Sequence, residues 1–110
     1  MILQENDIQK NLIVLDLMVL KIRRYFDKTL FISDLIYDLE SFLNQLTIVD
    51  KKWKKNFRTL WLDIEVAYSL ALDQGLEELT DEGNVIVESS LYALKKMVED
   101  KINELKENLS

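Results

Sequence analysis

Apolar residues recur along this chain at alternating spacings of four and three, the signature of amphipathic helices. Ile8, Leu12, Leu15, Val19, Ile22 and Phe26 make the first such stripe and predict a helix from about Asp7 to Asp27. Ile13, Val14, Leu17, Met18 and Leu20 widen that stripe almost all the way round. This first helix is therefore expected to be the most enclosed element. The pattern breaks at "DKTL" and resumes with Leu35, Leu39, Phe42 and Leu46 inward and Asp34, Asp38 and Glu40 outward, a second helix over about Ile32 to Leu46. After "TIVD", Asp50 is the expected N-cap of a third helix reaching about Gln74. Its inward stripe is Trp53, Phe57, Leu60, Ile64, Ala67 and Ala71, flanked by Trp61, Tyr68 and Leu72. Gly75 suits the left-handed residue just past that helix, and Thr80 is the expected cap of a fourth, with Asp81 and Glu82 in its first turn. The fourth helix points Val87, Leu91, Leu94, Val98, Ile102, Leu105 and Leu109 inward and is expected to fray towards Ser110.

Short connections between long amphipathic helices favour antiparallel neighbours, so the expected fold is all-α, a compact antiparallel four-helix bundle. The 110 residues fit one domain, 1–110, large enough for its own core. Composition narrows the chemistry. With no Cys and no His there is no disulfide, no thiol nucleophile and no Ser-His or Cys-His arrangement, and most zinc and di-iron sites are excluded. The opening "MILQENDIQK" lacks the basic start and small-residue cleavage site of a signal peptide, and a cytoplasmic location is expected. The apolar run "LIVLDLMVLKI" is too short to span a bilayer and is broken by Asp16 and Lys21, so no membrane contact is expected. Asp16 is either a hydrogen-bonded buried group or the wet edge of its helix, the second being the commoner situation.

Charge is sorted unevenly. From Thr59 to Leu94 the chain holds Asp63, Glu65, Asp73, Glu77, Glu78, Asp81, Glu82 and Glu88 and no base, a formal −8 within a total of −6, which leaves +2 for the rest. Carboxylates often do no more than solvate a helix face. Here no base stands at i, i+4 to pair with them, and Asp73 and Glu77 sit near a helix C-terminus, where the dipole opposes negative charge. A basic protein partner would turn that local cost into steering. The candidate contact residues are Asp63, Asp73, Glu77, Glu78, Asp81 and Glu82, with Trp61 and Tyr68 as apolar anchors. "KKWKKNFR", residues 51 to 58, is the counterweight, but Trp53 and Phe57 belong to the inward stripe and the total charge is negative. Nucleic acid is not the expected partner, and these bases are free to pair with acids of a neighbouring helix.

Catalysis finds little support. Asp34 with Asp38, and Asp73 with Glu77, share helix faces, yet nothing places them in a cleft. "DQGLEELTDEG" does not match a calcium-binding loop, and no phosphate-binding glycine loop occurs. A non-enzymatic protein without cofactor, metal or catalytic residues is expected. A homo- or hetero-oligomeric structural or regulatory module, including a homodimer, is the other reading.

Two stretches carry a resemblance. "YFDKTLFISDLIYDLESFL", Tyr25 to Leu43, resembles small helical bacterial immunity proteins of the colicin D and contact-dependent inhibition kind. Tyr25 takes their aromatic position, Leu30 the apolar entry, Ser33 and Asp34 the polar pair and Leu35 the following hydrophobe. "FRTLWLDIEVAYSLALDQG", Phe57 to Gly75, is similar to their third helix. The resemblance covers about half the chain, and it departs at Lys28, where a turn glycine is usual, and at Phe31, which replaces a capping serine. It implies a stoichiometric inhibitor that docks on a nuclease toxin, usually one cutting tRNA, and blocks its active site. Such toxins carry basic clefts for RNA, which an acidic surface complements.

Overall fold

Four helices account for nearly all of the computed structural model, which describes residues 4–109: α1 Glu5–Phe26, α2 Ile32–Gln45, α3 Lys51–Asp73 and α4 Asp81–Glu107. Among the described residues there is no strand. Glu5 and Asp7 lie in the first turn of α1, where carboxylates meet the positive end of the helix dipole, so the helix begins two residues before Asp7. The expected fraying at Ser110 falls outside the described residues; α4 ends at Glu107, with Asn108 as its cap.

The caps follow side-chain chemistry. Asp50 accepts the Trp53 amide at 2.7 Å and Thr80 Oγ1 the Gly83 amide at 2.9 Å, each satisfying one free donor at a helix start. Phe31, at the same position of α2, has no side-chain acceptor and is 79% exposed. The ends of α1 and α3 share one closing motif. After α3, Gly75 N–H donates to Leu72 and Leu76 N–H to Ala71; after α1, Lys28 N–H donates to Tyr25 and Thr29 N–H to Arg24. Both motifs need a left-handed residue, supplied by Gly75 with φ 72° and by Lys28 with φ 63°. A Cβ is strained there, so Lys28→Gly is expected to stabilise the protein by about 0.5–1 kcal/mol despite the added freedom of the unfolded chain. A urea midpoint unchanged or lowered would contradict this.

Each helix has two neighbours. α1 lies against α2 and α4, and α3 against α2 and α4, while the backbones of the diagonal pairs α1–α3 and α2–α4 do not approach closely among the described residues. One apolar cluster draws on all four: Leu15, Met18 and Ile22 of α1, Leu35, Leu39 and Leu43 of α2, Phe57 and Ile64 of α3, and Val87, Leu91, Leu94 and Val98 of α4 are essentially sealed from water. Leu43 takes the fully buried place expected for Phe42, which is half-buried against the cluster. α1 has the largest buried share of the four helices, seven of its 22 residues, yet its apolar surface is not covered all round. Ile13 is 60% exposed and Leu20 is exposed as well, because α1 has neighbours on two flanks only. Asp16 is exposed, the wet-edge alternative.

Polar cross-links set the helices against one another. Buried Asn11 donates to Thr47 Oγ1 at 2.9 Å and accepts the Thr47 amide at 2.9 Å, joining the first half of α1 to the α2–α3 connection. Lys21 pairs with Asp38 at 3.2 Å, Arg58 donates to Asn44 at 2.9 Å, and the Trp61 indole N–H donates to the Ile36 carbonyl at 2.9 Å. No described helix is long and apolar enough to cross a membrane.

Candidate functional site

Where α3 ends and α4 begins, the chain turns through residues 74–80, and Leu79 holds that corner by packing on the core. Gly75 permits the reversal. Gly83 lets the first turn of α4 lie close, since a Cβ there would stand 3.1 Å from Thr80 Oγ1 and beside Leu79. A groove of about 470 Å³ runs between the two helices, lined by Ala67, Leu70, Ala71 and Gln74 of the α3 side and by Thr80, Asp81, Glu82, Gly83 and Ile86 of the α4 side. Its floor is low because Ala67, Ala71 and Gly83 are small.

Asp81 and Glu82 form one wall of this groove. Asp63 lies one helical turn before Ala67 and so continues the groove-side stripe of α3. Asp73 is the last residue of α3, whose final turn holds no base, and Glu77 and Glu78 follow in the exposed connection. The other two acids of the base-free stretch sit elsewhere. Glu65 accepts the Ser69 hydroxyl at 3.1 Å. Glu88 acts on Tyr25 of α1, whose phenol pKa is raised, first by burial and then by that carboxylate.

None of Asp63, Asp73, Glu77, Glu78, Asp81 or Glu82 has an ion-pair partner among the described residues. The ion pairs lie elsewhere: Lys21 with Asp38 joins α1 to α2, and Lys95–Glu99, Lys96–Asp100 and Lys101–Glu104 run along the later half of α4. Nor do three acids among the described residues draw close enough to hold a metal ion.

The two aromatic candidates stand apart from this groove. Trp61 is half-buried, packs against the core and binds the Ile36 carbonyl, so it closes the α2–α3 seam. Tyr68, one heptad on, falls on the same α2-facing flank and is half-buried. Neither faces the wall formed by Asp81 and Glu82. The basic stretch at the start of α3 also differs from expectation: Arg58 binds the neutral Asn44, and none of Lys51, Lys52, Lys54 and Lys55 pairs with an acid among the described residues. Trp53 is half-buried and packs at 5.6 Å against Phe57 and onto the core, as its place in the inward stripe implies.

Exposed apolar residues along α3, reaching the groove at Leu70, are a finding of the structure. Leu62, Val66 and Leu70 are about half-exposed, Val66 at 50% and Leu70 at 56%; of these Leu70 lines the groove, with Ile86, 45% exposed, on its α4 side. They lie outside the inward stripe of α3. Their spacing of four residues is the sequence signal that marks a second, outward ridge.

The fold and this surface together define an all-helical protein with a groove between α3 and α4 that Asp81 and Glu82 wall on one side. No family model, curated protein or solved structure gives a match to the chain.

Proposed function

We propose that this protein is an immunity protein, an antitoxin-like inhibitor that binds a basic nuclease toxin, of the kind that cuts RNA or tRNA, and blocks it through the acidic corner between α3 and α4. One observation carries the reading: Asp63, Asp73, Glu77, Glu78, Asp81 and Glu82 are not neutralised by any ion pair within the chain among the described residues, although 14 bases are present in the sequence. Uncompensated charge of one sign raises encounter rates with a partner of the other sign and disfavours the negatively charged substrate of such a nuclease. The resemblance of residues 25–43 and 57–75 to colicin D and contact-dependent inhibition immunity proteins supports the same reading. So does an antiparallel four-helix bundle, the arrangement in which Asn11 reaches Thr47 while Lys21 reaches Asp38, and Asn44 meets Arg58 while Ile36 meets Trp61. Action in the cytoplasm, without cofactor, metal or nucleic acid, completes the proposal.

Oligomerisation as a structural or regulatory module is the second reading, favoured by the exposed ridge of Leu62, Val66 and Leu70. Co-expression separates the two. Cells carrying the basic, toxin-like C-terminal domain encoded by a neighbouring reading frame are expected to survive when this chain is made alongside it. If they die at the same rate with and without it, the inhibitor reading fails.

A further inference from the structure

We infer that the outward ridge of α3, which meets the α3–α4 groove at Leu70, seats a basic amphipathic helix of the protein partner. Its apolar face lies on Leu62, Val66, Leu70 and Ile86, and its lysines or arginines stand over Asp63, Asp73, Asp81 and Glu82. This deepens the inhibitor reading and rests on it for the partner's charge.

Three observations lead here. The outward ridge of α3 repeats every four residues, the row that interdigitates with the ridges of another helix. Leu62 to Leu70 spans about 12 Å at 1.5 Å per residue, enough for two turns of such a helix. Small Ala67, Ala71 and Gly83 keep the floor low, so a second backbone can come close. The charge of the walls then selects the occupant. A second copy docking by the same face would set Asp63, Asp73, Asp81 and Glu82 against their equals, whereas a cationic helix meets opposite charge along the groove. Apolar contact would determine how long the complex lasts, and the carboxylates how fast it forms.

The probe is a synthetic helical peptide of leucines and lysines with the leucines on one face, beside a control of identical composition whose leucines are dispersed around the helix. Each is titrated into the full chain and followed through backbone amide shifts. The amphipathic peptide is expected to perturb residues 62–74 and 81–89 and to bind at least about tenfold more tightly than the control, since only it presents an apolar anchor. The double variant Val66→Thr, Leu70→Gln should lose about tenfold in affinity at an unchanged urea midpoint, as both side chains are half-exposed and the replacements keep their shape. Equal binding of the two peptides, shifts confined to other helices, or a concentration-dependent mass for the chain alone that this double variant abolishes would each overturn the inference. The inhibitor reading is tested separately. Groove binding of the peptide with no nuclease neutralised retires that reading and keeps the groove, while full neutralisation by the double variant does the reverse.

Discussion

The triple variant Asp73→Lys, Asp81→Lys, Glu82→Lys is expected to associate with a cationic partner at least about tenfold more slowly than the natural chain at low ionic strength. Each reversal shifts the charge by two, six in all, which takes the formal −6 to zero and cancels most of the negative charge around the corner. The difference should shrink as salt rises, because near 0.1 M the Debye length falls to about 10 Å. Asp81 and Glu82 also sit in the first turn of α4, where losing negative charge costs about 0.3–1 kcal/mol each, while a lysine at the end of α3 regains a similar amount. Stability is thus nearly conserved, and a loss of function would report on the surface. Stopped-flow association with the purified toxin domain across a salt series is the measurement. Rate constants and salt slopes equal to those of the natural protein would exclude steering by these acids.

Phe57→Ala is expected to carry the largest stability loss, about 3–5 kcal/mol. Phe57 is fully buried near the start of α3, against Trp53, within the cluster that joins all four helices. Truncation removes the transfer energy of the ring and leaves a cavity that rigid helices close only in part. For a domain with about 5–15 kcal/mol of total stability, such a loss approaches unfolding at body temperature. Urea denaturation followed by circular dichroism gives the value, and a loss under about 1 kcal/mol would mean that this part of the core is not packed as described.

Much of this architecture is legible in the sequence because local chemistry and periodicity point the same way. Asp50 and Thr80 begin helices as acceptors for free amides, Gly75 ends one by tolerating a positive φ, and the four-three stripes of α3 and α4 identify Phe57, Ile64, Val87, Leu91, Leu94 and Val98 as inward. Departures occur where the answer depends on neighbours. Ile13 and Leu20 look as apolar as Leu15 and Met18, and only the placement of α1 between α2 and α4 leaves them wet. Lys28 carries no local mark of a left-handed residue, since the turn imposes it from both sides. The acids of the corner could be read as uncompensated from spacing alone, yet their relation to the groove could not. Trp61 faces Ile36 and Leu70 faces Ile86 because of how α3 is rolled between its two partners, a quantity no single helix encodes.

Asn11 has a consequence for the alignment of the whole assembly. Leucine ridges repeat every three or four residues and admit more than one longitudinal setting at modest cost, whereas an amide that must donate to Thr47 and accept from its backbone admits one. A slip of a single residue between α1 and α2 would leave the buried Asn11 amide without its Thr47 partners. One uncharged side chain thus acts as an indexing pin for the helix stack, fixing the axial level at which every other residue of the protein is displayed.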